Sequence, residues 1–328
     1  MFTRLIVVAL LLSLPASVRT QPPQPTFLAV VDGEGRLTPI AVYDGTTWWN
    51  RWPWAGATNL DRELPLPRSM AAIPAEWLPP GLRLPNSWRA FTSGRLVPVR
   101  ALRPERSPEQ AMMTTVNIVT TYRGQPHEED TLAISGPGTL AEFVTLSPPQ
   151  RDVILRQLES RIATLEVDAI ASWKKEITEY KDVALTRTFM VDEPSGTRYV
   201  GTRPPGRDSD YGILKAPRPI NGRTYHYMDG KKLFKLRPDA DCMMNLSTQG
   251  FIVVDQRGRV ESEQLGAVAF AEYCGDSSET TYHMATITIG RRTWWVAKSA
   301  LEDGYDYCLF DPLTGAEVAL KGPWDQRP

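Results

Sequence analysis

The sequence predicts a mainly β protein (α+β), with antiparallel hairpin-rich sheets and one long amphipathic helix in mid-chain. Three observations carry this prediction. Short apolar stretches alternate with Asp/Gly turns along both halves of the chain. One segment instead repeats its apolar residues every three or four positions. The chain also contains 28 prolines, which indicate ordered loops and edge strands because proline is excluded from helix interiors and central strands.

The composition excludes several classes of protein. The 328 residues are 42% hydrophobic and 23% charged, with a formal net charge of −1. This is the balance of a globular chain and differs from disordered, collagenous or coiled-coil sequences. A neutral chain without a long basic run is a poor candidate for nucleic-acid binding. We therefore predict no nucleic-acid partner.

Residues 1–20 have the layout of a secretory signal peptide. Arg4 gives a positive start, residues 5–14 are apolar apart from Ser13, and Pro15 precedes small residues suited to cleavage. The apolar stretch is much shorter than the ~20 residues that a spanning helix needs, and no later segment is apolar enough to cross a membrane. We expect an exported protein, in the periplasm or outside the cell, with no membrane span after signal removal.

Residues 21–146 are predicted to form an amino-terminal β-rich domain. The first part, 27–49, reads as a three-stranded meander with Asp/Gly turns between its strands. A further hairpin is predicted around Ser93–Gly94, and another strand within 114–122. Because tight turns join neighbouring strands, the sheet in this domain should be antiparallel.

Residues 147–181 are predicted to form the long amphipathic helix. Ser147 and Gln150 make a capping-box pattern, and Pro148 occupies the first helical position. The apolar residues that recur at helical spacing are Leu155, Leu158, Ile162, Leu165, Ala169, Trp173 and Ile177. We expect this stripe to pack across a β-sheet or at a domain junction, and a partner-binding helix is the alternative.

Residues 182–328 are predicted to form a carboxyl-terminal antiparallel β domain. The prediction rests on a run of hairpins with turns at Asp229–Gly230, 256–259, 290–292 and 312–315. Each of these turns joins two strand-like stretches. A series of such hairpins naturally gives an antiparallel sheet.

Two of the three cysteines are predicted to form a disulfide. Cys242 and Cys274 are nearly equidistant from the turn at 256–259, and an antiparallel hairpin brings such positions together. Closing a loop of this size adds about 3 kcal/mol to the free energy of unfolding. Cys308 is left in an apolar strand. Export supports the pairing, because disulfides persist outside the cytosol.

An aromatic cluster supplies the candidate ligand-binding residues, which are Tyr43, Trp49, Trp52 and Trp54. In a strand, Trp48 and Trp49 point to opposite faces, so we expect one to face the core and the other to face outward. Exposed aromatic rings stack on flat apolar surfaces such as sugar rings or prolines. The alternative is that these rings pack the core or cover a domain junction.

The sequence contains no strong catalytic motif. It lacks Gly-x-Ser-x-Gly, His-Glu-x-x-His, a Walker phosphate loop and paired Cys-x-x-Cys, and we predict no catalytic residue, metal or cofactor. His226 and His283 lie in predicted strands. If those strands were neighbours, the two imidazoles could bind zinc or copper with an acidic ligand. The alternative is that both are ordinary sheet residues.

The sequence therefore favours a non-catalytic binding or structural protein of the cell envelope with a Trp-rich contact surface. Its expected partner is a glycan, a peptide or an envelope protein. An open face presenting Trp49, Trp52 and Trp54 would favour binding. The alternative is an exported hydrolase with a His/acid site or a carboxylate pair, which convergence of His226 and His283 in a cleft would favour. A purely structural subunit would show an exposed sheet edge or an apolar helix stripe.

Overall fold

The computed structural model describes residues 24–49, 52, 66–106, 116–124, 131–177, 181–193, 196–203, 209–236, 243–272, 280–301 and 304–320. In chain order its elements are β1 (Thr26–Val31), β2 (Arg36–Tyr43), β3 (Trp48–Trp49), two 3-10 turns (Met70–Ala72 and Ala75–Trp77), β4 (Ser87–Thr92), β5 (Arg95–Arg106), β6 (Val116–Thr120), β7 (Thr131–Ser135), β8 (Thr139–Ala141), β9 (Val144–Thr145), α1 (Pro148–Glu176), β10 (Thr186–Glu193), β11 (Gly196–Val200), β12 (Tyr211–Lys215), β13 (Thr224–Lys235), β14 (Met243–Val254), β15 (Val260–Glu272), β16 (Thr280–Ile289), β17 (Arg292–Leu301), β18 (Gly304–Phe310) and β19 (Glu317–Leu320). Mostly antiparallel β structure with one mid-chain helix confirms the predicted fold class.

The first sheet closes on itself into a ring of six strands. Around the ring the order is β1, β7, β4, β5, β6 and β2, and β2 pairs back with β1. Every pairing in the ring is antiparallel. The meander over 27–49 and the hairpin at Ser93–Gly94 are confirmed. Both residues of that turn have positive φ, 49° and 72°, as a two-residue turn of type I′ requires.

The ring has an apolar core on each side of its wall. Phe27 and Ala29 on β1 pack into the interior, whereas Leu28 and Val30 on the same strand pack outside, because successive side chains of a strand alternate between faces. The interior also holds Trp88, which is 1% exposed. Closure leaves each ring strand with a neighbour on both sides, so the ring needs no covering layer at its edges.

The middle sheet joins the ring to the rest of the molecule. Its spatial order is β19, β18, β17, β16 and β8. Trp294 on β17 packs against the outer face of the ring, and the neighbouring Trp295 packs against the opposite layer. Trp294 therefore belongs to the core between the ring and the middle sheet, and Trp295 belongs to the core between the middle sheet and the helix-backed sheet.

The helix-backed sheet is the third β layer. It contains β9, β10, β11, β12, β13, β14 and β15, and α1 lies across the face that carries Met228 and Ile252. The helix begins at Pro148, as predicted, with a capping box between Ser147 and Gln150. It ends at Glu176, so the predicted range 147–181 is too long. Its apolar side packs across a sheet, as expected from its periodicity.

The predicted hairpin at Asp229–Gly230 is wrong. Residues 224–235 form the single strand β13, which pairs with β14 along its whole length. Gly230 allows the Tyr211 ring to pack directly against the backbone, since a Cβ at this position would lie 2.1 Å from Tyr211 Cδ1. The glycine serves close packing within a continuous strand here, which is the other common use of glycine in a sheet.

Several predictions fall outside the described residues. They are the signal peptide at 1–20 and the disulfide between Cys242 and Cys274, which therefore stay predictions. The hairpin that suggested the disulfide is confirmed, and its last described pair is Met243 with Glu272. Among the described residues, no helix is both long and apolar enough to span a membrane.

Candidate functional site

Two of the predicted ligand-binding aromatic residues lie in the core. Tyr43 is 7% exposed and Trp52 is 3% exposed. Tyr43 contacts Trp48 and Trp294, each with a ring-centroid distance of 5.2 Å. Trp48 meets Trp294 edge-on at 5.4 Å. Tyr43 therefore packs in the interface between the ring and the middle sheet and does not form part of an exposed contact surface.

The other two predicted aromatic residues are Trp49 and Trp54. Trp49 is half-buried and packs at the border of the ring interior, while Trp54 lies outside the described residues. Trp48 and Trp49 do point to opposite faces, but both faces are covered because the ring wall has a core on each side.

Trp49 and Trp52 nevertheless line a small cleft, which we call the tryptophan cleft. Its volume is about 90 Å³, and its lining residues are Pro39, Ala41, Val42, Trp49, Trp52, Glu76, Trp77, Leu78 and Pro79. The Trp52 and Trp77 rings are perpendicular, with centroids 5.8 Å apart. The sequence drew attention to Trp49 and Trp52 through their clustering, but Trp77 reaches the cleft from a distant 3-10 turn.

A larger cavity of about 610 Å³ lies between the helix-backed sheet and the turn that follows β18. We call it the inter-sheet pocket. The lining residues are Arg223, Tyr225, Phe251, Val253, Glu261, Ser262, Glu263, Gln264, Phe310, Pro312, Leu313, Thr314 and Gly315. Phe251 and Phe310 stack in parallel, with ring centroids 3.7 Å apart, and thereby connect the two sheets at the pocket.

Polar side chains complete the inter-sheet pocket. Arg223 forms an ion pair with Glu261, whereas the Glu263 carboxylate turns to the helix face of the sheet, where Arg161 from α1 donates to it at 3.1 Å. Burial raises the pKa of Tyr225 above its usual value, so its hydroxyl stays protonated near neutral pH. Ser262, Gln264 and Thr314 add hydroxyl and amide groups. The pocket therefore combines apolar aromatic surface with both hydrogen-bond donors and acceptors.

The turn beside the pocket is held by Asp311. Its Oδ1 accepts a hydrogen bond from the Leu313 backbone N–H at 2.9 Å, and Arg292 donates to its Oδ2 at 3.4 Å. Gly315 has a φ of 71°, in the left-handed region that favours glycine. A Cβ at this position would lie 3.2 Å from Gln264 Nε2, so glycine lets the turn pass close to the Gln264 side chain.

The two histidines of the carboxyl-terminal half lie on opposite faces of the helix-backed sheet. His226 lies on the helix side, where its Nε2 is 3.1 Å from Thr224 Oγ1. His283 lies on the other side, with its ring centroid 3.7 Å from that of Tyr227. Burial lowers the pKa of each histidine to about 4. The zinc or copper hypothesis requires both imidazoles on one face. The structure places them on opposite faces of the sheet.

A polar cluster lies beneath α1, beside a groove of about 970 Å³ along the helix. Glu166 is buried there and accepts hydrogen bonds from Tyr211 Oη at 2.5 Å, Lys232 Nζ at 2.6 Å and Thr248 Oγ1 at 3.2 Å. Burial, followed by the bond to the Glu166 carboxylate, raises the pKa of Tyr211. Both carboxylate oxygens are bonded within the protein, so the cluster fastens the helix to the sheet.

The described residues hold no group of three His, Cys, Asp or Glu side chains placed to bind a metal ion. Comparison of the chain with protein-family models, with curated proteins and with solved structures found no match.

Sequence reasoning missed the inter-sheet pocket. The turn at 312–315 is correctly predicted, but the pocket depends on which hairpins face each other across two sheets. Local patterns carry no signal for that arrangement. An indirect signal exists in Phe251 and Phe310, since each is an aromatic residue that lies a few positions before a glycine-containing turn.

Proposed function

We propose that this protein is an exported, non-catalytic binding protein whose ligand is a saccharide and whose binding site is the inter-sheet pocket. The observation that carries the proposal is the composition of this cavity. It unites an aromatic wall with a rim of hydroxyl, amide, guanidinium and carboxylate groups.

The size of the pocket supports a small-molecule ligand. Its volume of about 610 Å³ falls within the ~300–1,000 Å³ that is usual for ligand pockets. Such sites combine apolar walls with a few placed polar groups that fix the orientation of the ligand. The aromatic wall and the Arg223–Glu261 pair match this pattern.

The mixture of groups supports a saccharide in particular. A sugar ring has apolar C–H faces that pack on aromatic carbon, and its hydroxyl groups both donate and accept hydrogen bonds. Arg223 supplies donors, Glu261 supplies acceptors, and Gln264 supplies both. A purely apolar ligand would leave these groups without partners, which costs binding free energy.

A fluorescence titration tests the proposal. The purified full chain is titrated with soluble peptidoglycan fragments and with common oligosaccharides. Trp295 reports on the site, because its ring centroid lies 4.9 Å from that of Phe251 and 6.2 Å from that of Phe310. We expect a saturable change in emission with at least one saccharide.

Two arginine variants provide the matched comparison. Arg223→Ala removes a donor from the rim and should weaken binding about tenfold, the effect of one good hydrogen bond. Arg100→Ala removes an exposed arginine from β5 of the ring and should leave the affinity unchanged. No saturable change with any saccharide, or equal effects of the two substitutions, would contradict the proposal.

A saccharide hydrolase is the second candidate, because Glu261 brings a carboxylate to the pocket and Glu263, another lining residue, lies two positions further along β15. Glycoside hydrolysis commonly uses two carboxylates that flank the substrate, whereas the Glu263 carboxylate is bonded to Arg161 on the helix side of the sheet. Each of these carboxylates has an arginine partner in the structure, which favours binding over acid catalysis. Analysis of the titrated saccharide by mass spectrometry separates the two functions. Cleavage that is lost in Glu261→Gln would establish the hydrolase.

A further inference from the structure

The tryptophan cleft has a chemistry unlike that of the inter-sheet pocket. Three indole rings, from Trp49, Trp52 and Trp77, line it together with the carboxylate-bearing Glu76. Trp52 and Trp77 meet at right angles, with an interplanar angle of 89°. The two rings touch edge to face and are 3% and 9% exposed, so each presents only a narrow part of its surface to the cleft, beside the half-buried ring of Trp49.

The hydrogen-bonding groups of two of these rings are directed away from a ligand. Trp49 Nε1 donates to Asp44 Oδ2 at 3.1 Å, and Trp52 Nε1 donates to the Val116 carbonyl at 3.1 Å. Pro39 and Pro79, which also line the cleft, carry no backbone N–H. These residues therefore offer a ligand carbon surface and electron-rich ring faces.

Charge adds a second requirement for the ligand. The face of an indole ring attracts cations through its quadrupole, and Glu76 is an exposed carboxylate at the same cleft. A primary ammonium group would need acceptors for its three N–H donors, whereas a quaternary ammonium group has no N–H to satisfy. The volume of about 90 Å³ holds one small head group and is too small for a sugar ring with its substituents.

We propose that the tryptophan cleft binds a quaternary ammonium group, the trimethylammonium head of a choline-type ligand. The methyl groups contact the Trp49, Trp52 and Trp77 rings, and Glu76 balances the positive charge. The same head group occurs on free choline and on phosphatidylcholine. The proposal covers the shared chemistry, and the experiment separates these two sources.

Isothermal titration calorimetry of the full chain with choline chloride tests the site. The uncharged isostere 3,3-dimethyl-1-butanol has the same shape with carbon in place of nitrogen. We expect saturable binding of choline and at least tenfold weaker binding of the isostere, because the cation–π attraction requires the charge. Equal binding of the two compounds would overturn the proposal.

Vesicles distinguish the source of the head group. Co-sedimentation with phosphatidylcholine vesicles is compared with that on phosphatidylglycerol vesicles, which lack the trimethylammonium group. Binding to free choline but to neither vesicle assigns a soluble ligand, and binding to phosphatidylcholine alone assigns a lipid head group. Absence of binding to choline and to both vesicles would overturn the proposal.

Substitutions locate the site. Glu76→Gln removes the carboxylate from an exposed position, so it should leave the fold intact and weaken choline binding several-fold. Asp168→Asn, an exposed carboxylate on α1, is the matched control and should have no effect. Trp49→Leu should abolish binding while its circular dichroism stays that of the unsubstituted protein. Choline affinity that is unchanged in Glu76→Gln and Trp49→Leu alike would overturn the assignment to this cleft.

Discussion

The ring and the helix-backed sheet bury their inner faces by different means. The ring closes on itself and fills its interior with apolar side chains, among them Phe27 and Trp88. The helix-backed sheet requires α1 as a cover, and the interface between them contains the buried carboxylate of Glu166. Apolar packing of the interior therefore stabilises the ring. The interface between α1 and its sheet depends both on apolar packing and on the hydrogen-bonded carboxylate of Glu166. The two regions should respond differently to substitution and to pH.

The largest expected effect comes from the ring interior. Trp88 is 1% exposed, its Nε1 donates to the Pro85 carbonyl at 2.9 Å, and its ring meets Phe27 edge-on at 6.1 Å. Trp88→Ala should lower the free energy of unfolding by about 4 kcal/mol, the usual cost of such a cavity. Urea denaturation measures it. Trp88→Phe, which keeps part of the volume, should cost less, and a loss below about 1 kcal/mol for Trp88→Ala would contradict a tightly packed interior.

The polar cluster beneath α1 comes next. Glu166→Ala removes the carboxylate that Tyr211, Lys232 and Thr248 share, and it leaves a half-buried ammonium group without its partner. Breaking such a pair costs about 3 kcal/mol, measured by urea denaturation. Glu159→Ala, at an exposed position on the same helix, should change stability by less than about 0.5 kcal/mol. Equal effects of the two substitutions would show that the cluster does not stabilise the interface.

The contrast between these regions also explains what the sequence could predict. The capping box at Ser147 and the helical spacing of apolar residues were sufficient to place the start and the buried side of α1. Glu166 interrupts that apolar side, and nothing local indicates that Tyr211, Lys232 and Thr248 converge on it. The aromatic cluster is visible in the sequence, but the sequence leaves its burial and its exposure as alternatives, because closure of the ring and the covering of its outer face arise from pairings between distant strands.

Acid should affect the carboxyl-terminal layers through their histidines. Burial lowers the pKa of His226 and His283 from 6.5 to about 4. The folded state therefore binds fewer protons than the unfolded state between these values, and stability falls as pH decreases from 6.5 to 4. Each histidine should cost about 2 kcal/mol between pH 7 and pH 5. Denaturation at both pH values measures this loss.

Substitution separates the histidine effect from other titrations. His283 lies among Phe143, Tyr227, Phe251 and Trp295, so His283→Phe places an apolar ring in an aromatic environment. The variant should lose about 2 kcal/mol less than the unsubstituted protein over the same pH interval. An unchanged pH dependence would contradict a buried, neutral His283.

The smallest effect concerns the start of α1. Gln150 Oε1 accepts hydrogen bonds from the Ser147 hydroxyl at 2.9 Å and from its backbone N–H at 3.3 Å. Ser147→Ala removes the capping side chain and should cost about 1 kcal/mol in the free energy of unfolding. Ser160→Ala, at an exposed position within the helix, should be neutral or slightly stabilising because alanine has the higher helix propensity. A loss at Ser160 that matches the loss at Ser147 would contradict a specific cap.

The central claim is that the inter-sheet pocket binds a saccharide, and hydrogen–deuterium exchange tests it most directly. Exchange is compared in the absence and presence of saturating soluble peptidoglycan fragments. Protection is predicted for the backbone amides at 251–253, 261–264 and 313–315, which line the pocket, with no change along α1. Protection confined to other segments, or none at a concentration that saturates the fluorescence change, would contradict the assignment of the site.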